Sequence, residues 1–504
     1  MSPAPAGLIR VGPSRGSQGF LSSSIAMITP DLLTPSEVLT NLIAALFVIP
    51  IIVGFVIKAP KWVVLGFIGI LFSFSDSTWG ELRSQGGNIY SRGVGLFYFS
   101  LLNLILFTAG AALLIKRLAN PYGPRMAPPM AKYFGAFAFL LAGHVVAGLL
   151  LGIDLDVILG QSGFINVLNM LMFMFLIISA FESDRDMTRL LFMILAIAVV
   201  RGAFGGVRYF LFDGDTANPY RNFEGLNIKI FFFDISDNFV AALAAFCAAW
   251  LLASPKVKLN IFTKVFLLGV LCLEVAAVAL SFRRSSLIGL GLMFVFLFLR
   301  LPGQRKFFFA LIAAALLAAV ASVFFQHRLQ FSTVNDGGIL QSLFYDIAPS
   351  RGGIKDNRFY ELYAAAQSME GHWLFGRGTW GTFSGDRELL SYHGDDFGFV
   401  HSGFGHMILK TGFVGLALFL GMLVTYVMFY LRHRHSLAGN ARLVADAGFA
   451  GFLFWIPTLL IGTPIIEFRT MLLMGLSLAM PFIAVGLQRY QAPSYQVQAH
   501  YAVA

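Results

Sequence analysis

Between residues 358 and 419 the chain gathers the side chains best suited to acid–base and anion chemistry. Arg358 and Glu361 stand three apart, a glycine-punctuated GRGTWG turn follows with Gly376, Gly378 and Gly381, and His401 sits behind Asp395 and Asp396 at the mouth of an apolar run. Histidine can take a proton from an attacking hydroxyl or contact a phosphate oxygen; an interfacial polar anchor is the plainer alternative. Arg358 and Glu361 are neighbours if their segment is helical, and there a surface ion pair is the plain reading. A second group lies upstream, with Arg283 and Arg284 at the apex of SFRRSS between two apolar runs, and Arg201 and Arg208 inside another. A guanidinium fork matches phosphate oxygens in pairs and keeps its charge in an apolar site. Arginines beside a lipid-facing surface therefore suit a lipid-linked diphosphate.

The elements that must carry these residues are membrane helices. Of 504 residues, 57% are hydrophobic and only 12% charged, where soluble domains carry about 25% charge. Apolar runs long enough to cross a bilayer recur, and they are continuous rather than alternating, so helices are expected and a β-barrel is not. Runs are centred on residues 38–57, 62–74, 94–115, 134–151, 164–181, 190–212, 228–253, 266–280, 287–299, 307–325, 404–431, 448–461 and 471–487. The count is 12 or 13, because 62–74 is short enough to be re-entrant, and the side of the N-terminus stays open with it. Residues 1–36, rich in Pro, Ser and Gly, read as a disordered tail without a signal-peptide core, 37–325 as the first ten membrane helices, 326–402 as one long external loop bearing short helices, 403–488 as the C-terminal helices, and 489–504 as a flexible tail.

The formal net charge of +10 comes from Lys and Arg clustered in short loops, which is the pattern of cytoplasmic connections and argues against a nucleic-acid partner. Lys116, Arg117, Arg125 and Lys132 mark one such loop, Lys256, Lys258 and Lys264 another, and Arg432 to His435 a third. Alternation from these anchors puts the Arg283/Arg284 apex and the long loop on the same, outer side. Each ionisable group inside a bilayer costs about 2.5 to 3.5 kcal/mol on insertion scales. Arg201 and Arg208 thus either serve a site or pair with Asp213, Glu224, Asp234 or Asp237; with Arg221, they contact substrate or brace its site. No HExxH pair or tight histidine spacing indicates a metal, GRGTWG lacks the GK[ST] of a nucleotide loop, and no GxSxG elbow is present. Cys247 and Cys272 fall in apolar segments and are expected as packed small hydrophobes.

Three stretches together resemble the O-antigen ligase/polymerase superfamily: ALSFRRSSLIGLGL, NRFYELYAAAQSMEGHWLFGRGTWGTF and VHSGFGHMILKTGFVGLALF. They place Arg284, Arg358 and His401 on that family's arginines and histidine, while Tyr363, His372 with Trp373, and Ser402 depart from its pattern. The resemblance implies an all-α, GT-C-like glycosyltransferase of the bacterial inner membrane that works without metal, nucleotide or other cofactor. Its donor would be a glycan on undecaprenyl diphosphate, and its product an exopolysaccharide or O-antigen polymer. A ligase moving the glycan to lipid A core or another acceptor is the close alternative, and a transporter of lipid-linked oligosaccharide the distant one. Arg284 and Arg358 would hold the diphosphate, with His401 contacting it or activating the acceptor hydroxyl; Arg283, Arg201, Arg208, Arg221 and Glu361 would line the substrate site. Partners would be the lipid-linked donor, the glycan acceptor, membrane lipids, and flippase and chain-length regulator proteins.

Overall fold

The computed structural model describes residues 35–74, 101–119, 130–160, 163–181, 183–212, 214–215, 229–232, 234–254, 259–307, isolated positions between 309 and 322, 358–386 and 398–491. The described chain is helical: α1 Pro35–Lys58, α2 Pro60–Ser73, α3 Leu101–Ala119, α4 Ala131–Leu150, α5 Leu155–Gly160, α6 Ile165–Ala180, α7 Asp184–Leu211, α8 Ile235–Ala253, α9 Ile261–Ala279, α10 Arg284–Arg300, α11 Arg358–Gln367, α12 Gly403–His433, α13 Gly439–Ile461 and α14 Phe468–Gln491, with a 3-10 turn at Pro464–Ile466. The expected N-terminal tail, most of the 326–402 loop and nearly all of the C-terminal tail lie outside the described residues.

Seven of these helices, α4, α7, α8, α9, α12, α13 and α14, are long and apolar enough to cross a membrane. An eighth candidate is the pair Ile49–Lys58 and Pro60–Ser73, bent by 117°. Proline at the first position of α2 lacks the N–H that would continue α1, and the result has the shape expected for a re-entrant 62–74 run. The protein is thus an all-α, multi-pass membrane protein. Fewer such helices stand among the described residues than the 12 or 13 crossings counted from apolar runs. Helix α6 has 16 residues and α10 has 17, at or below the roughly 17 to 25 needed to span, and the 307–325 run is described at only a few positions.

Helix α14 is buried along its whole membrane window and forms the axis, with α8 and α13 largely buried beside it, while α4, α7, α9 and α12 keep broad apolar faces outward. Alanine-rich α8 can approach its neighbours closely, which is how helices gain packing where lipid is as apolar as the protein. Cys247 on α8 is buried as expected, but Cys272 is exposed, because α9 is peripheral and turns that face away from the bundle.

Polar contacts define two ends. At the basic end, Lys116 Nζ donates to the Ile57 carbonyl (2.8 Å) and Arg305 to that of Ala253 (2.6 Å). Buried Asp446 there collects the Tyr430 hydroxyl (2.7 Å), the Trp250 indole N–H (3.2 Å) and Arg300 (3.3 Å), joining α8, α10, α12 and α13. At the opposite end, Asn166 donates to the carbonyls of Ile465 and Ile466, and the Thr463 hydroxyl to that of Val400. Helix α10 begins at Arg284 and reaches Asp446 with Arg300, so the Arg283/Arg284 turn and His401 share this second end.

Candidate functional site

Helix α11, the turn after it and the start of α12 form a small unit with its own core of Ala364, Ala365, Met369, Phe383, Val400 and Leu409. That core presses α11 against the segment leading into α12 and carries Glu361 to zero exposure. Both Glu361 oxygens lie within reach of the His401 Nδ1, at 3.1 and 3.0 Å, and the His401 backbone N–H also donates to Oε1 at 3.1 Å. A carboxylate can only accept, so Nδ1 carries the proton and Nε2 is left as the basic nitrogen. Glu361 is buried rather than at the surface; the Arg358 side chain, its expected ion-pair partner, lies outside the described residues. The i, i+3 spacing shows which residues share a helix face, whereas burial of that face comes from contacts distant in sequence.

Ser402 caps α12, its hydroxyl accepting from the Gly405 N–H at 3.2 Å. Serine and asparagine are comparable helix caps, so this departure from the family pattern leaves the local geometry intact. Ten residues further on, α12 breaks. Gly412 has φ 65 and ψ −164 inside the helix, a conformation that only glycine adopts without strain. The 372–378 turn fills the break: the Arg377 N–H donates to the Leu409 carbonyl (2.9 Å), and the Phe413 and Val414 N–H groups to the carbonyls of Trp373 (2.9 Å) and Leu374 (3.1 Å). A Cβ on Gly412 would fall on Leu374 backbone, and one on Gly376 on the backbone of residues 410–412. The glycines of GRGTWG thus serve a backbone junction. Trp380 continues it, lying edge-on to buried His144 of α4 at 6.2 Å and against Gly148.

At the same end of the bundle, Arg283 caps the start of α10 and Arg284 is its first residue; both are half-buried. Phe282 immediately before them has φ 53, a left-handed conformation that costs about 1 to 3 kcal/mol outside glycine and is often found at functional turns. Cations at a helix N-terminus oppose the helix dipole. The two guanidiniums thus sit at a helix end that does not by itself favour them.

Arg201 and Arg208 have different surroundings. Arg201 is buried, donating to the Ser73 carbonyl (2.6 Å) and pairing with Asp237 (2.6 Å). Arg208 donates to the Phe231 carbonyl (2.5 Å) and lies 3.5 Å from Asp215. Arg358 is the first residue of α11, one turn before Glu361; its side chain, and the whole of Arg221, lie outside what the structure describes.

Two buried cations were missed in the sequence. Arg469 donates to the Leu71 carbonyl (2.8 Å) and to Ser236 Oγ (2.6 Å), and pairs with Asp234 (3.1 Å) and Asp237 (2.6 Å). Lys410, almost fully buried in α12, donates to the Gly381 carbonyl at 2.5 Å and ties the turn to the helix. The rule that flagged Arg201, an ionisable group inside an apolar run, applied equally to Lys410. Arg469 fell just before the start assigned to the last run. Among the described residues no three His, Cys, Asp or Glu side chains are grouped as a metal ion would need.

Residues 267–420 match the family model described as O-antigen ligase. The match over this segment supports the resemblance to the O-antigen ligase/polymerase superfamily. The match runs from α9 through the Arg283/Arg284 turn, α11 and His401 to the middle of α12, and so includes all three stretches on which the resemblance rested. No curated protein matches the chain. At the level the family supports, the protein is a membrane enzyme of O-antigen or polysaccharide assembly, acting on a lipid-linked glycan donor and an acceptor.

Proposed function

We propose that the protein is a glycosyltransferase that polymerises undecaprenyl-diphosphate-linked repeat units at the outer face of the bacterial inner membrane. The observation that carries this reading is the buried Glu361 carboxylate engaging Nδ1 and the backbone N–H of His401. A carboxylate that fixes the tautomer leaves Nε2 as a general base for a sugar hydroxyl. The acceptor oxygen attacks the anomeric carbon of the donor, its proton passes to His401 Nε2, and the bond from that carbon to the diphosphate oxygen breaks. Undecaprenyl diphosphate leaves with the electron pair, and Arg284, Arg283 and Arg358 stabilise the charge gained by the leaving oxygen, an interaction strongest in the transition state. Glu361 is a positioning residue in this scheme. Arg201 and Arg208 brace the site through their acidic partners.

The basic end, with Lys116, Arg305 and the Arg432–His435 run, faces the cytoplasm by the positive-inside tendency, which puts His401 outside, where lipid-linked glycans are joined. The ligase reading is favoured by the description of the matching family, and one experiment separates the two. Purified full-length protein in nanodiscs receives a defined lipid-linked repeat unit, with or without lipid A core, in the presence of EDTA and without nucleotide. A ladder of products on the polyprenyl carrier, with release of undecaprenyl diphosphate, supports the polymerase. A single transfer that requires lipid A core supports the ligase. Absence of any release by wild type, or full release by His401→Ala, overturns the mechanism.

A further inference from the structure

The turn that fills the break in α12 ends in three consecutive apolar residues with large exposure: Trp373 at 41%, Leu374 at 59% and Phe375 at 56%. Such a tip in water would be unfavourable, and its position relative to the bilayer follows from the break itself. From Phe413 to His433 the unbroken part of α12 has 21 residues. At about 1.5 Å per residue this part alone matches a hydrocarbon core of about 30 Å. Its lower end carries Arg432 and His433, so its upper end, Phe413, lies at the opposite edge of the hydrocarbon.

The tip is joined to that edge. The Trp373 and Leu374 carbonyls accept the N–H groups of Phe413 and Val414, and the Trp373 ring stacks on Phe413 at 5.6 Å with the planes 15° apart. Below Phe413, the outward face of α12 continues through Leu420, Val424 and Met428, all exposed. In a spanning helix that stripe meets acyl chains, and the tip extends it without interruption. Its flanks are polar: His372 precedes it and Arg377 follows it, both exposed. Tryptophan and arginine at an apolar boundary are the pairing of a membrane interface, the ring at headgroup depth and the guanidinium reaching towards phosphate.

We infer that residues 373–375 insert into the acyl chains of the leaflet nearest His401 and act as a membrane anchor for the α11 unit. The segment between α11 and α12 is then not wholly in water, as a simple external loop would be. Its backbone bonds to α12 convert anchoring depth into a fixed height for Glu361 and His401 above the hydrocarbon, the level at which the headgroup of a membrane-borne substrate lies. This inference concerns membrane contact and does not depend on which glycan reaction the site performs.

The test uses the full-length protein in phospholipid nanodiscs with Cys247→Ala and Cys272→Ala. Single nitroxide labels are placed through Leu374→Cys and, should that variant fold poorly, Phe375→Cys. Val424→Cys on the outward face of α12 is the lipid reference, and Ser384→Cys, exposed beyond the turn, the water reference. Power-saturation EPR then compares access by oxygen, which partitions into lipid, with access by a water-soluble nickel chelate. The expected result is an oxygen-to-nickel ratio at 374 or 375 matching that at 424. A ratio matching that at 384 overturns the anchor. So does low access to both reagents, which would mean that protein, from a second copy or elsewhere in the chain, covers the tip.

Discussion

Asp237 and Glu361 are both carboxylates buried at the same end of the bundle, and their partners set them apart. Asp237 lies between two guanidiniums, Arg201 and Arg469, each 2.6 Å away, and those arginines are themselves held by the Ser73 and Leu71 carbonyls. Charges that stay fixed neutralise one another there and tie α2, α7, α8 and α14 together. Glu361 instead holds the His401 imidazole, and it does so from a small unit docked on the bundle. The contrast shows that an arginine inside a membrane is no substrate ligand by virtue of its charge alone. Its acidic neighbours decide whether the charge is already spoken for.

The largest expected effect comes from breaking the first system. Asp237→Ala would remove the carboxylate shared by two buried guanidiniums, leaving Asp234 to Arg469, and removing one partner of a buried pair costs about 3 to 5 kcal/mol, a large part of a typical total of roughly 5 to 15 kcal/mol. Thermal unfolding in detergent should show a large drop in Tm or no folded protein at all. Normal stability with lost donor binding would instead make Asp237 part of the site. His401→Ala should do the reverse. Its Tm falls less, because the backbone N–H of residue 401 still donates to buried Glu361, while turnover in the proposed reaction falls by about 10²- to 10⁴-fold, the usual worth of a general base.

Glu361→Gln is a smaller and sharper cut. Glutamine preserves shape and can still accept from the imidazole N–H through its carbonyl oxygen, but the charge that holds the tautomer is gone. The rate should fall by about 10- to 10²-fold, below the limit set by losing the base itself, with the effect in kcat rather than in donor KM. An equal loss in KM would give Glu361 a direct contact with substrate, and no loss would reduce the pair to a structural contact.

How much of this contrast was legible in the sequence differs between its halves. The helices announce themselves through apolar runs, and the short 62–74 run already suggested the bend that Pro60 produces. Arg201 and Asp237 were both visible as candidate partners, because intramembrane charges are few and must find one another. Glu361 was visible as one turn from Arg358 and, through the family resemblance, as a residue lining the substrate site, but not as the partner of His401. Its burial depends on Phe383, Val400 and Leu409 closing over α11, and no local periodicity reports contacts across 20 to 50 residues. The break at Gly412 was hidden for the same reason. The apolar run continues through it, and the carbonyls and N–H groups that make it tolerable belong to a turn some 35 residues earlier.

The smallest expected effect sharpens the boundary between the two systems at Arg208. Its guanidinium reaches the Phe231 carbonyl at 2.5 Å but stands 3.5 Å from Asp215, a looser pairing than Arg201 makes with Asp237. Lysine can keep one hydrogen bond and the charge but not the planar fork. If Arg208 only braces the site, Arg208→Lys should lower stability by about 1 kcal/mol, the worth of a single hydrogen bond, and leave donor KM unchanged. If it contacts the diphosphate, the loss of paired recognition appears as a higher KM at unchanged Tm, because a lysine meets phosphate as a point charge. Measuring Tm and KM on this one variant decides whether the arginines proposed to contact substrate end at the Arg283/Arg284 turn or extend onto α7.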